Sequence, residues 1–193
     1  MSICKQLVIP IASLVMGFGA TLSTSSEANA GVVDLSGTTW ERHAYVREGC
    51  DFDPLLLYAL ALKESRIGAG KGMVSLNPYA LNNPVYGSEY PQNIDEARRE
   101  LSRYLAASEL TDIGIMQVNW RWNGHLVSDP ADLLDVDTNV RTSARILCNA
   151  IQRRPGNIEW AIGSYHTPNP EKRDVAEAYG RDVLRIWRRL ANQ

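Results

Sequence analysis

The 193-residue chain is poor in the residues that hold metals and carry redox chemistry, with three cysteines and three histidines. His43, His125 and His166 are scattered and none falls in an H-E-x-x-H spacing, and no cysteine has a C-x-x-C partner. A metal hydrolase is therefore the weakest reading, and neither a metal nor a cofactor is expected. Net charge is also scarce, at −2 near neutrality, so no basic field is available for nucleic acid. Apolar runs of membrane-spanning length are missing. The longest, Leu7 to Leu22, is interrupted by Pro10, Gly17 and Gly19. Period-two alternation is almost absent, and neither internal repeats nor low-complexity tracts occur. What remains is the sequence of one mainly α domain with a single core.

The first thirty residues read as a secretory signal peptide rather than as part of the fold. Lys5 gives a weakly positive start, the run to Leu22 is the apolar region, and Ala28-Asn29-Ala30 is an A-x-A cleavage pattern before Gly31. The expected organisation is a signal peptide over 1–30 and one domain over 31–193, exported to the periplasm, soluble and monomeric. Cys4 precedes the apolar run, so it is not placed as a lipoprotein cysteine and would leave with the signal. Cys50 and Cys148 remain, an even pair in an oxidising compartment. They suit a disulfide, with two unpaired buried thiols as the alternative.

Helix punctuation recurs along the rest. Asp53-Pro54 supplies an N-cap and a proline at the first helical position, and every residue from Pro54 to Leu62 is apolar. A helix with no polar face must be buried on most sides. Thr38 or Thr39 is expected to start a segment ending at Gly49. Asn93 with Glu96 starts another, and Asp129-Pro130 a short turn. Asp137 or Thr138 begins a long helix with Val140, Ala144, Leu147 and Ile151 on one stripe, and Asn157 caps Ile158 to about Tyr165. The last helix carries Ala176, Tyr179, Val183, Ile186, Trp187 and Leu190. Residues 67 to 92, rich in Gly, Asn, Pro and Tyr, read as one long loop, with tyrosines and asparagines that suit sugar as well as solvent.

Three stretches carry chemistry. Glu64 lies where the apolar helix ends. Desolvation and the negative end of the helix dipole would both favour its protonated form, as a general acid near neutral pH requires, although a solvated helix end is the plainer reading. Gly114-Ile115-Met116-Gln117-Val118-Asn119 sets two amides in an apolar frame, for backbone groups or for a ligand rich in hydroxyls and acetamides. Ala161 to His166 ends a short helix with Tyr165, a hydroxyl able to donate to a carboxylate or simply to pack. Trp120 and Trp122 are candidates for stacking on sugar faces or for core packing.

Glu64-Ser65, then G-x-M-Q-x-N at Gly114 to Asn119, then Ala161 to His166, in that order, resemble the lysozyme-like lytic transglycosylases of the soluble-lytic-transglycosylase type. D-P-x-L-L-x-A-x-x-x-x-E-S from Asp53 to Ser65, N-P-x-A at Asn77, D-x-x-x-N at Asp135 to Asn139 and the Tyr179 to Leu184 helix extend the likeness over about residues 40 to 190. The resemblance implies a goose-type lysozyme fold acting on peptidoglycan, with Glu64 as acid and base. It also implies Ser65, Met116, Gln117, Asn119, Tyr165 and His166 at the substrate, Tyr165 hydrogen-bonding near the acid. Two departures stand out: His166 replaces the usual Asn, and the interval from Glu64 to Gly114 is longer than usual. Short single-domain chains with an Asp just before G-x-M-Q, here Asp112, are most similar to members serving type IV secretion, conjugation or pilus machinery.

The implied reaction cleaves the β-1,4 bond between N-acetylmuramic acid and N-acetylglucosamine and leaves a 1,6-anhydro end. Two other readings stand beside it. A lysozyme would hydrolyse the same bond with Asp112 as a possible second carboxylate, and an inactive relative would bind peptidoglycan and recruit assembly partners.

Overall fold

The computed structural model describes residues 33–46, 49–70 and 73–192; the signal-peptide assignment lies outside them. Seven α-helices and eight short strands are found among these residues. The mainly α architecture is the expected one.

The centre is helix α2 (Pro54–Ser65). Asp53 caps it, its Oδ1 accepting from the Leu55 amide at 2.9 Å. No residue of α2 is fully exposed, and Leu57, Ala59, Leu60 and Ala61 are wholly buried. The other longer helices are α3 (Ile94–Ala107), α5 (Val136–Arg153), α6 (Ile158–His166) and α7 (Arg173–Ala191), which packs along α2, with two short helices, α1 (Thr39–His43) and α4 (Trp120–Asn123). The expected stripe of Val140, Ala144, Leu147 and Ile151 on α5 is buried. Helix α7 buries Ala176, Tyr179, Val183 and Trp187.

Helices α6 and α7 touch backbone to backbone. A Cβ on Gly163 would fall 1.7 Å from the Ala176 carbonyl oxygen, and one on Gly180 would fall 1.9 Å from that of Glu159. Helix α2 runs antiparallel to α7. Its cap carboxylate, Asp53 Oδ2, accepts from the Trp187 indole at 2.7 Å, while Lys63 near its other end pairs with Asp182 at 2.9 Å.

Residues 67 to 92 are not one loop, as expected, but largely two hairpins. Strands β3 (Arg66–Gly70) and β4 (Met73–Leu76) pair antiparallel with a bulge near Gly68, after β1 (Tyr45–Val46) and β2 (Cys50–Asp51). Strands β5 (Leu81–Asn83) and β6 (Gly87–Glu89) join β7 (Asp112–Ile113) and β8 (Val118–Asn119) in a sheet of order β6-β5-β7-β8. Strands of two to five residues are too short to display alternation, and tertiary contacts hold them.

Helix α1 ends at His43 rather than at Gly49, because the chain turns into β1 and β2 and brings Cys50 to α5. Helix α5 starts at Val136, capped by Asp135, which accepts from the Thr138 amide at 2.8 Å. Asp137 instead receives Thr39 at 3.0 Å and Arg42 at 2.7 Å, tying α1 to α5.

Cys50 and Cys148 are bonded, with Cα atoms 5.7 Å apart and a sequence separation of 98. On the chain-entropy model, reducing a link across so long a loop costs roughly 4–5 kcal/mol, less where the reduced chain keeps structure. Titration of the denatured, unreduced mature protein should find no free thiol, and denaturant unfolding should shift to a lower midpoint with reductant. Two free thiols and an unmoved midpoint would remove the link.

Candidate active site

A cleft of about 700 Å³ opens between the four-stranded sheet and the α5–α6 face. Of the residues singled out in the sequence, Glu64, Asp112, Gln117, Asn119, Tyr165 and His166 line it. Ser65 and Met116 do not. Ser65 is 1 % exposed with its hydroxyl on the Ala61 carbonyl, and the Met116 side chain is fully buried in the core. For both, burial leaves no surface for a ligand to touch.

Glu64 sits one residue before the end of α2, at the negative end of the helix dipole. Its Oε1 accepts a hydrogen bond from the Tyr179 hydroxyl, on α7. Burial pushes the carboxyl up to about 7; the Tyr179 hydrogen bond pulls the other way, Asp112 adds to the rise and Lys63 weakly opposes it. Near neutral pH the group is poised to give and take a proton.

Tyr165, expected near the acid as a donor, makes different bonds. Its hydroxyl donates to the Met116 carbonyl at 2.7 Å and receives the Ser143 hydroxyl at 2.9 Å. Tyr179 takes the place at Glu64. The sequence placed Tyr179 on a core stripe, and the available signal was that a buried phenol needs a polar partner. His166 stacks on the Tyr179 ring, centroids 4.7 Å apart and planes within 5°. Burial holds the imidazole below its ordinary range, so it is neutral at physiological pH, while Asp112 acts against that shift.

Asp112 is held by two amides: Asn82 Nδ2 donates at 3.1 Å and Asn119 Nδ2 at 2.8 Å. Burial raises its carboxyl above the usual carboxylate range, and those hydrogen bonds limit the rise. Asn119 Oδ1 is buried with no donor, an acceptor left for a ligand N–H or O–H.

The turn between β7 and β8 fixes this wall. Gly114 has φ +78°, and a Cβ there would come within 2.4 Å of both Asn139 Nδ2 and the Leu133 carbonyl oxygen. Asn139, fully buried on α5, donates to the Ile113 and Leu133 carbonyls and accepts from the Met116 amide at 2.9 Å. Gln117 adopts φ +49°, uncommon for a residue with a side chain. Its Nε2 donates to Ala80 and Gly114 carbonyls, both at 2.9 Å, so that part of the amide serves the backbone.

The transglycosylase SLT domain model matches residues 47–183. The chain belongs to this family. Comparison with curated proteins and with solved structures gave no match. SLT domains are of the lytic transglycosylase type and act on peptidoglycan. Within the SLT frame, Trp122 lines the cleft and is 63 % exposed, open to stacking. Trp120 instead packs against the core with its ring beneath Gly124. No helix among the described residues is long and apolar enough to cross a membrane.

A carboxyl raised from 4.5 to about 7 on folding binds its proton more tightly in the folded state. Its contribution is therefore complete below pH 4.5 and is lost as pH rises through 7. Relative to Glu64→Gln, wild-type unfolding free energy should fall by up to about 3 kcal/mol between pH 4.5 and 8. Denaturant melts of both proteins across that range check it, and parallel pH profiles would contradict the raised value.

Proposed function

We propose that the protein is an exported lytic transglycosylase that cleaves the β-1,4 bond between N-acetylmuramic acid and N-acetylglucosamine without water. Glu64 is its acid and base. The observation that carries this reading is a glutamic acid poised at about 7, held by a neutral phenol in a cleft of amides.

Protonated Glu64 gives its proton to the leaving O4 of N-acetylglucosamine as the C1–O bond breaks and positive charge develops at C1 of muramic acid. The substrate's own acetamide oxygen stabilises that centre. The Glu64 carboxylate then takes the proton from the C6 hydroxyl as that oxygen bonds to C1, closing the 1,6-anhydro ring. Atoms and charge balance with one carboxyl. Asn82, Asn119, Gln117 and Trp122 suit a ligand of hydroxyls, acetamides and flat sugar faces.

Hydrolysis of the same bond is the second reading, because Asp112 lines the same cleft and its charge is felt at Glu64. Hydrolysis with two carboxylates needs the second as nucleophile or base. Both oxygens of Asp112 already accept from amides, which supports a positioning role. Export to the periplasm, supported by the A-x-A pattern and the cysteine pair, fits an enzyme opening the wall for a secretion, conjugation or pilus apparatus.

Digestion of purified peptidoglycan with mass spectrometry of the soluble muropeptides tests the reaction. Wild type should release 1,6-anhydro products, and Glu64→Gln should lose at least about a hundredfold in rate, the range of a lost general acid. Reducing ends would establish the hydrolase, and release by Glu64→Gln at the wild-type rate would dismiss Glu64.

Tyr179→Phe removes a donor that favours the Glu64 carboxylate. The alkaline limb of its kcat/KM profile should move to higher pH while the maximum falls. A limb that stays in place would mean that Tyr179 does not set the acid.

A further inference from the structure

The cleft runs on past the amides and the acid along one face of α5. Ile146, Asn149, Ala150 and Arg153 line it, spaced as neighbours on a helix face. Arg153 lies ten residues beyond Ser143, which meets Tyr165, so the far end is roughly 15 Å along the helix from that contact. There the lining changes character. Arg153 and Arg154 sit side by side at the end of α5, with Pro168 across from them.

Neither arginine makes a salt bridge among the described residues. Arg154 donates once, to the Pro168 carbonyl at 3.2 Å, while its Nε–H is buried without an acceptor. Its guanidinium lies over the Trp160 ring at 4.8 Å, and the indole N–H of Trp160 is likewise buried without an acceptor. Arg173 covers the same ring at 4.6 Å but is paired with Glu177 at 2.7 Å. Arg154, with no carboxylate partner among the described residues and its Nε–H unmatched, carries a desolvation cost that an anionic acceptor would relieve, and the exposed Arg153 brings a second cation beside it. Burial first, then the charge of Arg153, holds the Arg154 guanidinium below its usual range.

We propose that Arg153 and Arg154 form a subsite for a carboxylate of the stem peptide that hangs from muramic acid. This rests on the reading of the cleft as a peptidoglycan site, where the glycan is neutral apart from such groups. A glycan lying over Glu64 and the amides would direct the peptide's carboxylates toward the α5 end, where a guanidinium can bind them in a fork. The subsite makes the enzyme select peptide-bearing strands over bare glycan.

The test compares peptide-bearing strands with strands stripped of their peptides by an amidase and then capped as amides at the lactyl carboxylates that this exposes. Wild type should show a kcat/KM ratio of roughly tenfold in favour of peptide-bearing strands, the size of one charge-assisted hydrogen bond. The ratio should fall toward one in Arg154→Ala, and also in Arg153→Glu, an exposed position where folding is not at stake. Arg154→Lys should retain part of it, and rising salt should erode it. A wild-type ratio near one, or a ratio unchanged in both variants, overturns the subsite. Should no strand be cleaved, the proposed reaction fails separately. Co-sedimentation of Glu64→Gln protein with peptide-bearing and stripped strands then decides the subsite. A preference abolished by adding Arg153→Glu supports it, and equal binding overturns it.

Discussion

A carboxyl group at the end of a helix with no polar face is the constraint around which this fold is arranged. Glu64 can occupy that place only if a polar partner reaches it through apolar surroundings, and the Tyr179 hydroxyl does so from α7. That places demands on α7. It must lie antiparallel and close to α2, which the Asp53–Trp187 bond fixes near one end and the Lys63–Asp182 pair near the other. It must also carry α6, with Tyr165 and His166, at backbone contact, and Gly163 and Gly180 permit that approach.

The opposite wall depends on a second buried polar residue. Asn139 engages three backbone groups and so joins α5 to the turn between β7 and β8. Tyr165 closes the same joint by binding the Met116 carbonyl and the Ser143 hydroxyl. The helical side of the cleft and its sheet side are thereby fixed to each other by hydrogen bonds that leave little polar potential unused. Removing one partner from such a network would leave buried groups unmatched.

How much of this could be read from the sequence follows from which interactions are local. The Asp53-Pro54 start, the buried character of α2 and the α5 stripe are local and were legible. Glu64 was legible less directly: its place at the end of that helix suggests a raised pKa, and the order of the three motifs sets it above a solvated helix end. The hairpins over residues 66 to 89 were not, since strands of two to five residues carry no period and owe their pairing to contacts made elsewhere. Choosing between two tyrosines for Glu64 needed the helix packing. Tyr165 and Tyr179 both end up buried near the acid, and only the placement of α6 against α7 sends one hydroxyl to Met116 and the other to the carboxyl. The resemblance assigned Ser65 and Met116 to the substrate; the last turn of α2 directs the first into the core, and the turn between β7 and β8 does the same for the second.

The identity of the partner to Glu64 matters as much as its presence. A lysine or arginine in place of Tyr179 would favour the ionised form and bring the carboxyl into the range where it is no acid at neutral pH. A neutral phenol orients the group while leaving its charge to be set mainly by burial. Lys63 is paired with Asp182 at 2.9 Å and has the smallest effect among the groups acting on Glu64. His166, the residue packed flat on Tyr179, is kept neutral by its own burial. Asp112 contributes in the same sense, since whatever charge it carries makes ionisation of Glu64 harder. Every group around the acid is thus neutral, diverted or repulsive to its carboxylate. That arrangement suits a single residue that must first release a proton and then recover one within the same turnover.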